Sequence, residues 1–165
     1  MGEVMGEVIK VGIADWKLCK NPDTITTIGL GSCVGIVLYT EADDCCGMVH
    51  IMLPSSKEIK NNINRAKFAD TGIEDLLKEL EKCGIKRQQL AAKIAGGAAM
   101  FQFSGKTDLA SVGERNVKAV KEVLASLKIP IVAEDTGKDY GRTIVFDNVT
   151  KKLTIRSAGK SEKVI

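Results

Sequence analysis

Histidine occurs once in the 165-residue chain, at position 50, and tryptophan once; aromatic residues make up 4% of it. Any chemistry that needs an imidazole must therefore use His50. So few rings leave little material for a deep small-molecule pocket, which is normally lined by apolar and aromatic side chains. Charge of one sign is also scarce: 24 Lys and Arg stand against 21 Asp and Glu, a net +3. That falls short of the basic excess that binding a phosphate backbone uses, so nucleic acid is not an expected partner. No run approaches the about 20 consecutive apolar residues of a membrane span. The opening MGEVMGEVIKVGIADWK has acids and lysine where a signal peptide needs an apolar core, so direct membrane insertion is not expected and a cytoplasmic location is. The five cysteines (Cys19, Cys33, Cys45, Cys46, Cys83) are an odd set without CxxC spacing, which writes neither a disulfide framework nor a zinc knuckle. No metal and no cofactor are expected.

What is present, 44% apolar and 27% charged residues, is the balance of a globular chain. At this length it predicts one domain over 1–165. Ile9, Val11 and Ile13 alternate with Lys10 and Gly12 as in a half-buried strand. A turn at Asn21-Pro22-Asp23 precedes the β-branched run 24–28, which Gly29-Leu-Gly31-Ser32-Cys33 interrupts. Segments 33–39 and 47–53 read as a hairpin closed by Pro54. The polar stretch 55–65, with Asn61, Asn62 and Asn64, reads as a surface segment. Ile73, Leu76, Leu77 and Leu80 form a helical stripe ending near Gly84. Ala91–Ala95 reads as a buried strand, and Val117, Val120, Leu124 and Leu127 mark a second helix, begun by Asn116 or an earlier polar residue and closed at Pro130. Segments 129–133, 143–146 and 153–155 add strands. About seven strands and two helices predict a mixed α/β layered domain.

His50 lies in an otherwise apolar strand, where one hydrogen-bonded imidazole could simply be buried. The hairpin offers more. A register pairing His50 with Gly35, or with Cys33 itself, puts His50 and Cys33 on one face of the sheet; a slip to Ile36 separates them. Gly35 leaves room for an imidazole to lean toward the sulfur. The approach Gly29-Leu-Gly31-Ser32 can present backbone N–H groups to an oxyanion beside a Cys33 nucleophile, with Gly31, Ser32 and Val34 as backbone support. Other patterns fit less well. Gly29-x-Gly31 with Gly35 misses the dinucleotide fingerprint by one residue and leads into a strand. Gly31-Ser-Cys33-Val-Gly35 reads as a cysteine version of the GxSxG elbow, but the histidine follows too soon for that fold. Cys45, Cys46 and His50 do not have zinc spacing, and Gly96-Gly97 lacks the Lys-Ser/Thr of a phosphate loop, so close backbone packing explains it better.

With those residues in place, the sequence resembles the CheD family of bacterial chemotaxis proteins, the chemoreceptor glutamine deamidases. The resemblance runs through Thr27-Ile-Gly-Leu-Gly-Ser-Cys33-Val, Gly47-Met-Val-His50-Ile-Met-Leu-Pro54, Phe68-Ala-Asp70, the block from Ala92 to Phe101, Gly113-Glu-Arg-Asn116, and Glu134-Asp135-Thr-Gly137 with Gly141-Arg142. It implies an α/β/α layered sandwich related to cysteine-dependent deamidase toxins. It also implies a triad of Cys33, His50 and Thr27, although Thr27 by itself reads only as a strand former. The implied activity is conversion of receptor glutamine side chains to glutamate through a thioester, with receptor methyl-ester hydrolysis beside it. The implied partners are chemotaxis receptors, which an open site beside 55–65 could admit, and the CheC phosphatase. Lys138 stands where the family has a second glycine after Gly137. The rival expectation is a non-catalytic adaptor that binds receptors and CheC while Cys33 stays a passive thiol.

Overall fold

Whether a strand's apolar residues run continuously or alternate decides which layer it occupies here. The computed structural model describes residues 6–58, 64–100 and 111–165. Strands β1 (Val8–Lys10), β2 (Asp15–Lys20), β3 (Thr24–Leu30), β4 (Val34–Tyr39) and β5 (Cys45–Ile51) come first. Helix α1 (Ala69–Lys82), strand β6 (Ala91–Gly96) and helix α2 (Val112–Ser126) follow, then β7 (Ile131–Thr136), β8 (Arg142–Asp147), β9 (Lys152–Arg156) and β10 (Lys163–Val164). They form two five-stranded sheets, ordered β1-β3-β8-β9-β10 and β2-β5-β4-β6-β7.

Every residue of β4 and β5 is buried, as expected of strands covered on both faces. On one face Ile36, Leu38, Val49 and Ile51 meet Ile73, Leu76, Leu77 and Leu80 of α1 and Val120 and Leu124 of α2. On the other, Val37, Tyr39 and Met48 meet Ile25, Leu30, Ile144, Phe146, Leu153 and Ile155 of the first sheet. Strands β8 and β9 bury alternate residues only, which suits an outer sheet with one solvated face. The mixed α/β layered class is as expected. The order of layers differs in one respect: among the described residues both helices cover the same face of the central sheet, and the opposite outer layer is the first sheet rather than more helix.

The strand ends differ from the sequence reading in ways that matter for the site. Strand β5 begins at Cys45, so the vicinal cysteines are strand residues facing opposite layers, Cys45 toward the helices and Cys46 toward the first sheet. Strand β2, hidden by its mixed charge, pairs antiparallel with β5, with Cys19 opposite Cys46 and Asp15 opposite His50. Ile13 is exposed, whereas Val11 is buried. Helix α2 starts, as one of the two expected beginnings has it, at an earlier polar residue than Asn116: Ser111 caps it, its Oγ accepting the Glu114 N–H at 3.2 Å. Asn61, Asn62 and Phe101 lie outside the described residues.

Candidate active site

Antiparallel pairing of β4 with β5 sets Gly35 opposite His50 and Val34 opposite Ile51. Cys33 follows one residue beyond Val34, so His50, Gly35 and Cys33 share the face that looks at the first sheet. Diagonal neighbours on such a face lie roughly 7–8 Å apart, within reach of long side chains. The absent side chain at Gly35 is what admits the opposite sheet: a Cβ there would lie 2.8 Å from Ile144 Cδ1 and 3.6 Å from Thr27 Cγ2. Cys33 is half-buried against the core between the sheets.

Thr27 reaches the imidazole from β3, across the gap between sheets. Its Oγ1 lies 2.7 Å from His50 Nδ1 and 2.8 Å from the carbonyl oxygen of Val11. A carbonyl can only accept, and a hydroxyl has one proton, so that proton goes to Val11 and Thr27 must accept from His50. This assigns the tautomer from the hydrogen-bond network: Nδ1 carries the proton and Nε2 carries the lone pair. Nε2 is buried and has no hydrogen-bond partner among the described residues. Burial also holds the imidazole neutral, lowering its pKa to about 4. Burial pushes the Cys33 thiol the other way, above its usual range, opposed by a smaller pull from the residue's own N–H. At neutral pH the arrangement is thus a thiol and a neutral imidazole whose bare Nε2 can take a proton.

Each backbone carbonyl from Gly31 to Cys33 accepts a hydrogen bond. Gly31 O accepts from Ala98 N–H, Cys33 O from Gly97 N–H, both at 2.8 Å, and Ser32 O from Asn116 Nδ2 at 2.9 Å. Gly31 N–H is already directed to Gly29 O at 3.1 Å. The N–H groups of Ser32 and Cys33 donate to no other residue among the described ones. Gly96 and Gly97 make the close approach possible: both have positive φ, and a Cβ on Gly96 would sit 2.2 Å from Cys33 O. Behind them Arg142, opposite Leu30 in the β3–β8 ladder, pairs with Asp135 at 3.0 Å and donates to Gly137 O at 3.0 Å. This buried ion pair fastens β7 of one sheet to β8 of the other. The departure noted at Lys138 has a backbone correlate, since Lys138 has φ +63° directly after Gly137 at +79°.

Of the remaining thiols, Cys19 and Cys46 are buried between the sheets, Cys45 is buried under the helices, and Cys83 is exposed. Cys45 lies 3.9 Å from Cys83, and burial pushes its pKa up to about 12. Among the described residues no cluster of three His, Cys, Asp or Glu could hold a metal. No described helix is long and apolar enough to cross a membrane.

The family described as CheD chemotactic sensory transduction matches residues 52–157. A protein of Lachnoclostridium phytofermentans, named probable chemoreceptor glutamine deamidase CheD, is 60% identical over 98% of this chain and 100% of its own. The chain belongs to the CheD family. A Halalkalibacterium halodurans member, named chemoreceptor glutamine deamidase CheD, is 52% identical over 98% of this chain and all of its own length. These CheD relatives span Thr27, Cys33 and His50, which precede the family match. The crystal structure of a Neisseria meningitidis protein of the DUF152 family has the same fold, with a TM-score of 0.54 at 9% identity, covering 81% of this chain and 64% of that one.

Two contributors escaped the sequence reading. The Val11 carbonyl, which decides the tautomer, is backbone and leaves no trace in residue type. Asn116 did leave one: with Gly113, Val120 and Leu124 it lies on the buried stripe of α2, and a polar residue on an apolar stripe needs a partner.

Proposed function

We propose that the chain deamidates glutamine side chains of chemotaxis receptors, with Cys33 as nucleophile, His50 as general base and acid, and Thr27 as the group that fixes the imidazole. The observation that carries this reading is the Val11–Thr27–His50 relay, which leaves Nε2 bare on the face that holds Cys33. Nε2 takes the thiol proton as Sγ bonds to the carboxamide carbon. The carbonyl oxygen becomes an oxyanion and is met by the N–H groups of Ser32 and Cys33, while Gly31 and Val34 serve as backbone support. The imidazolium keeps its Nδ1–H on Thr27 and gives its new proton to the departing nitrogen. Ammonia leaves, and a thioester joins Cys33 to the substrate. Water then attacks with Nε2 as base, and collapse releases glutamate and the thiol.

The same acyl-enzyme forms from a methyl ester with methanol as leaving group, so receptor methyl-ester hydrolysis belongs to the proposal. So do CheC as a partner and a cytoplasmic site of action, carried over from the family resemblance. The test is intact-mass analysis of a receptor cytoplasmic fragment incubated with the native chain and with Cys33→Ala. A gain of about one dalton per site with the native cysteine alone is the expected result. Receptor binding without mass change in either sample would instead favour the adaptor.

A further inference from the structure

A planar trans peptide points its C=O and N–H in opposite directions, so whatever grips the oxygen aims the hydrogen. Around the nucleophile this rule gives each oxyanion donor an owner. The peptide carrying Ser32 N–H is gripped through Gly31 O by the main chain of Ala98. The peptide carrying Cys33 N–H is gripped through Ser32 O by a side chain, Asn116 Nδ2, at 2.9 Å. We propose that Asn116 is a positioning residue for the deamidation, one that sets the direction of the Cys33 N–H toward the oxyanion. The inference rests on the functional reading above and adds to it a residue on a third layer of the fold.

Three observations support the assignment. Asn116 is fully buried in the first half of α2, whose first turn is drawn onto Gly97 and Ala98 because Gly113 has no side chain to strike their carbonyls. Its amide cannot be turned over without loss, because Nδ2 donates to two carbonyls, Ser32 O and Met52 O, both at 2.9 Å. Met52 lies two residues beyond His50, so one side chain ties the nucleophile's loop to the strand of the base. Meanwhile Oδ1 is buried without a partner among the described residues. An asparagine kept at such a cost in an otherwise apolar stripe is placed for its two donors.

Deamidation passes through an oxyanion, whereas alkylation of the thiol by iodoacetamide does not, and the two reactions separate positioning from general damage. In Asn116→Ala, kcat for receptor deamidation should fall about 10- to 100-fold, below the loss for deleting an oxyanion donor outright. KM and the rate of Cys33 alkylation should each stay within about threefold. Native kcat in a folded Asn116→Ala protein, or alkylation falling in step with deamidation, overturns the proposal. If the native chain run alongside leaves the receptor mass unchanged, the functional reading fails and takes this one with it. Should the variant not fold, the native protein answers by NMR. With a peptide whose target glutamine side chain ends in an aldehyde, Sγ bonds to the aldehyde carbon as its proton passes to His50 Nε2, and the carbonyl π pair moves onto the oxygen to give a hemithioacetal oxyanion. The Cys33 amide proton should then move downfield, and an unmoved resonance overturns the proposal.

Discussion

Replacing Thr27 with valine keeps the shape of the side chain and removes one oxygen, yet that oxygen fixes both the orientation and the proton of His50. In the native chain it accepts from Nδ1 and donates to Val11 O. In Thr27→Val the buried Nδ1–H has no acceptor, a loss of about 1–3 kcal/mol. Part of that loss is escaped if the proton moves to Nε2, and then the base has no lone pair facing Cys33. General acid–base catalysis contributes about 10²- to 10⁴-fold, so deamidation should fall by at least about 100-fold, some 2.7 kcal/mol in the barrier. Thr27→Ser keeps the hydroxyl and sheds only the methyl group, about 0.8 kcal/mol of burial; its rate should remain within about tenfold of native. The assay is the time course of receptor-fragment mass for the three proteins, with nitrogen-15 NMR of the single histidine to read the tautomer. A folded Thr27→Val protein that deamidates at the native rate, or keeps its proton on Nδ1, would refute the reasoning.

Protonation of His50 should also govern acid stability. Its folded pKa of about 4 lies below the ordinary 6.5, so the stabilisation is complete above pH 6.5 and is lost as pH falls toward 4, with about 2 kcal/mol gone by pH 5. Chemical denaturation at pH 7.5 and 5 should show this loss in the native chain and a smaller one in His50→Asn. Because burial keeps Cys33 a thiol, its alkylation rate should climb through pH 9 rather than level off between 5 and 8; a plateau there would mean a preformed thiolate–imidazolium pair. Lys138 holds a left-handed backbone conformation that favours glycine, so Lys138→Gly should raise stability by about 0.5–1 kcal/mol without changing deamidation, measured by thermal melting. Gly35→Ala should cost about 1–3 kcal/mol by overpacking and lower the deamidation rate, because its Cβ strikes Ile144 and Leu30 and crowds Thr27.

Much of this was legible in residue pattern. The stripe of α1 and the all-apolar runs of β4 and β5 specify their burial directly, and the Gly35–His50 register was among those the hairpin allowed. Strand β2 was not legible, because Asp15, Lys17 and Lys20 mask its alternation, and only pairing with β5 gives it a place. The outer position of the first sheet could not be read either, since which face of a central strand meets helix and which meets sheet is settled by packing between distant segments. Thr27 shows the same limit at the site. Its local chemistry is that of a strand former, and its bond to His50 exists only where two sheets meet. Lys138 is the opposite case: the departure from glycine was visible in the sequence, and its left-handed backbone shows why glycine suits that position.

The site's groups come from three layers: Thr27 from the outer sheet, His50 and Cys33 from the central one, Asn116 from the helices. An emerging chain therefore makes Cys33 long before the residues that surround it are in place. Strands β4 and β5 can pair as a hairpin early in synthesis, but β3 gains its β8 partner, and Ser32 its grip from α2, only after most of the polypeptide has been made. A partly folded molecule with native-like strands and loose packing would hold an unactivated sulfur. On the proposed reading, the three-layer construction makes assembly of the site depend on closure of the whole domain around Cys33.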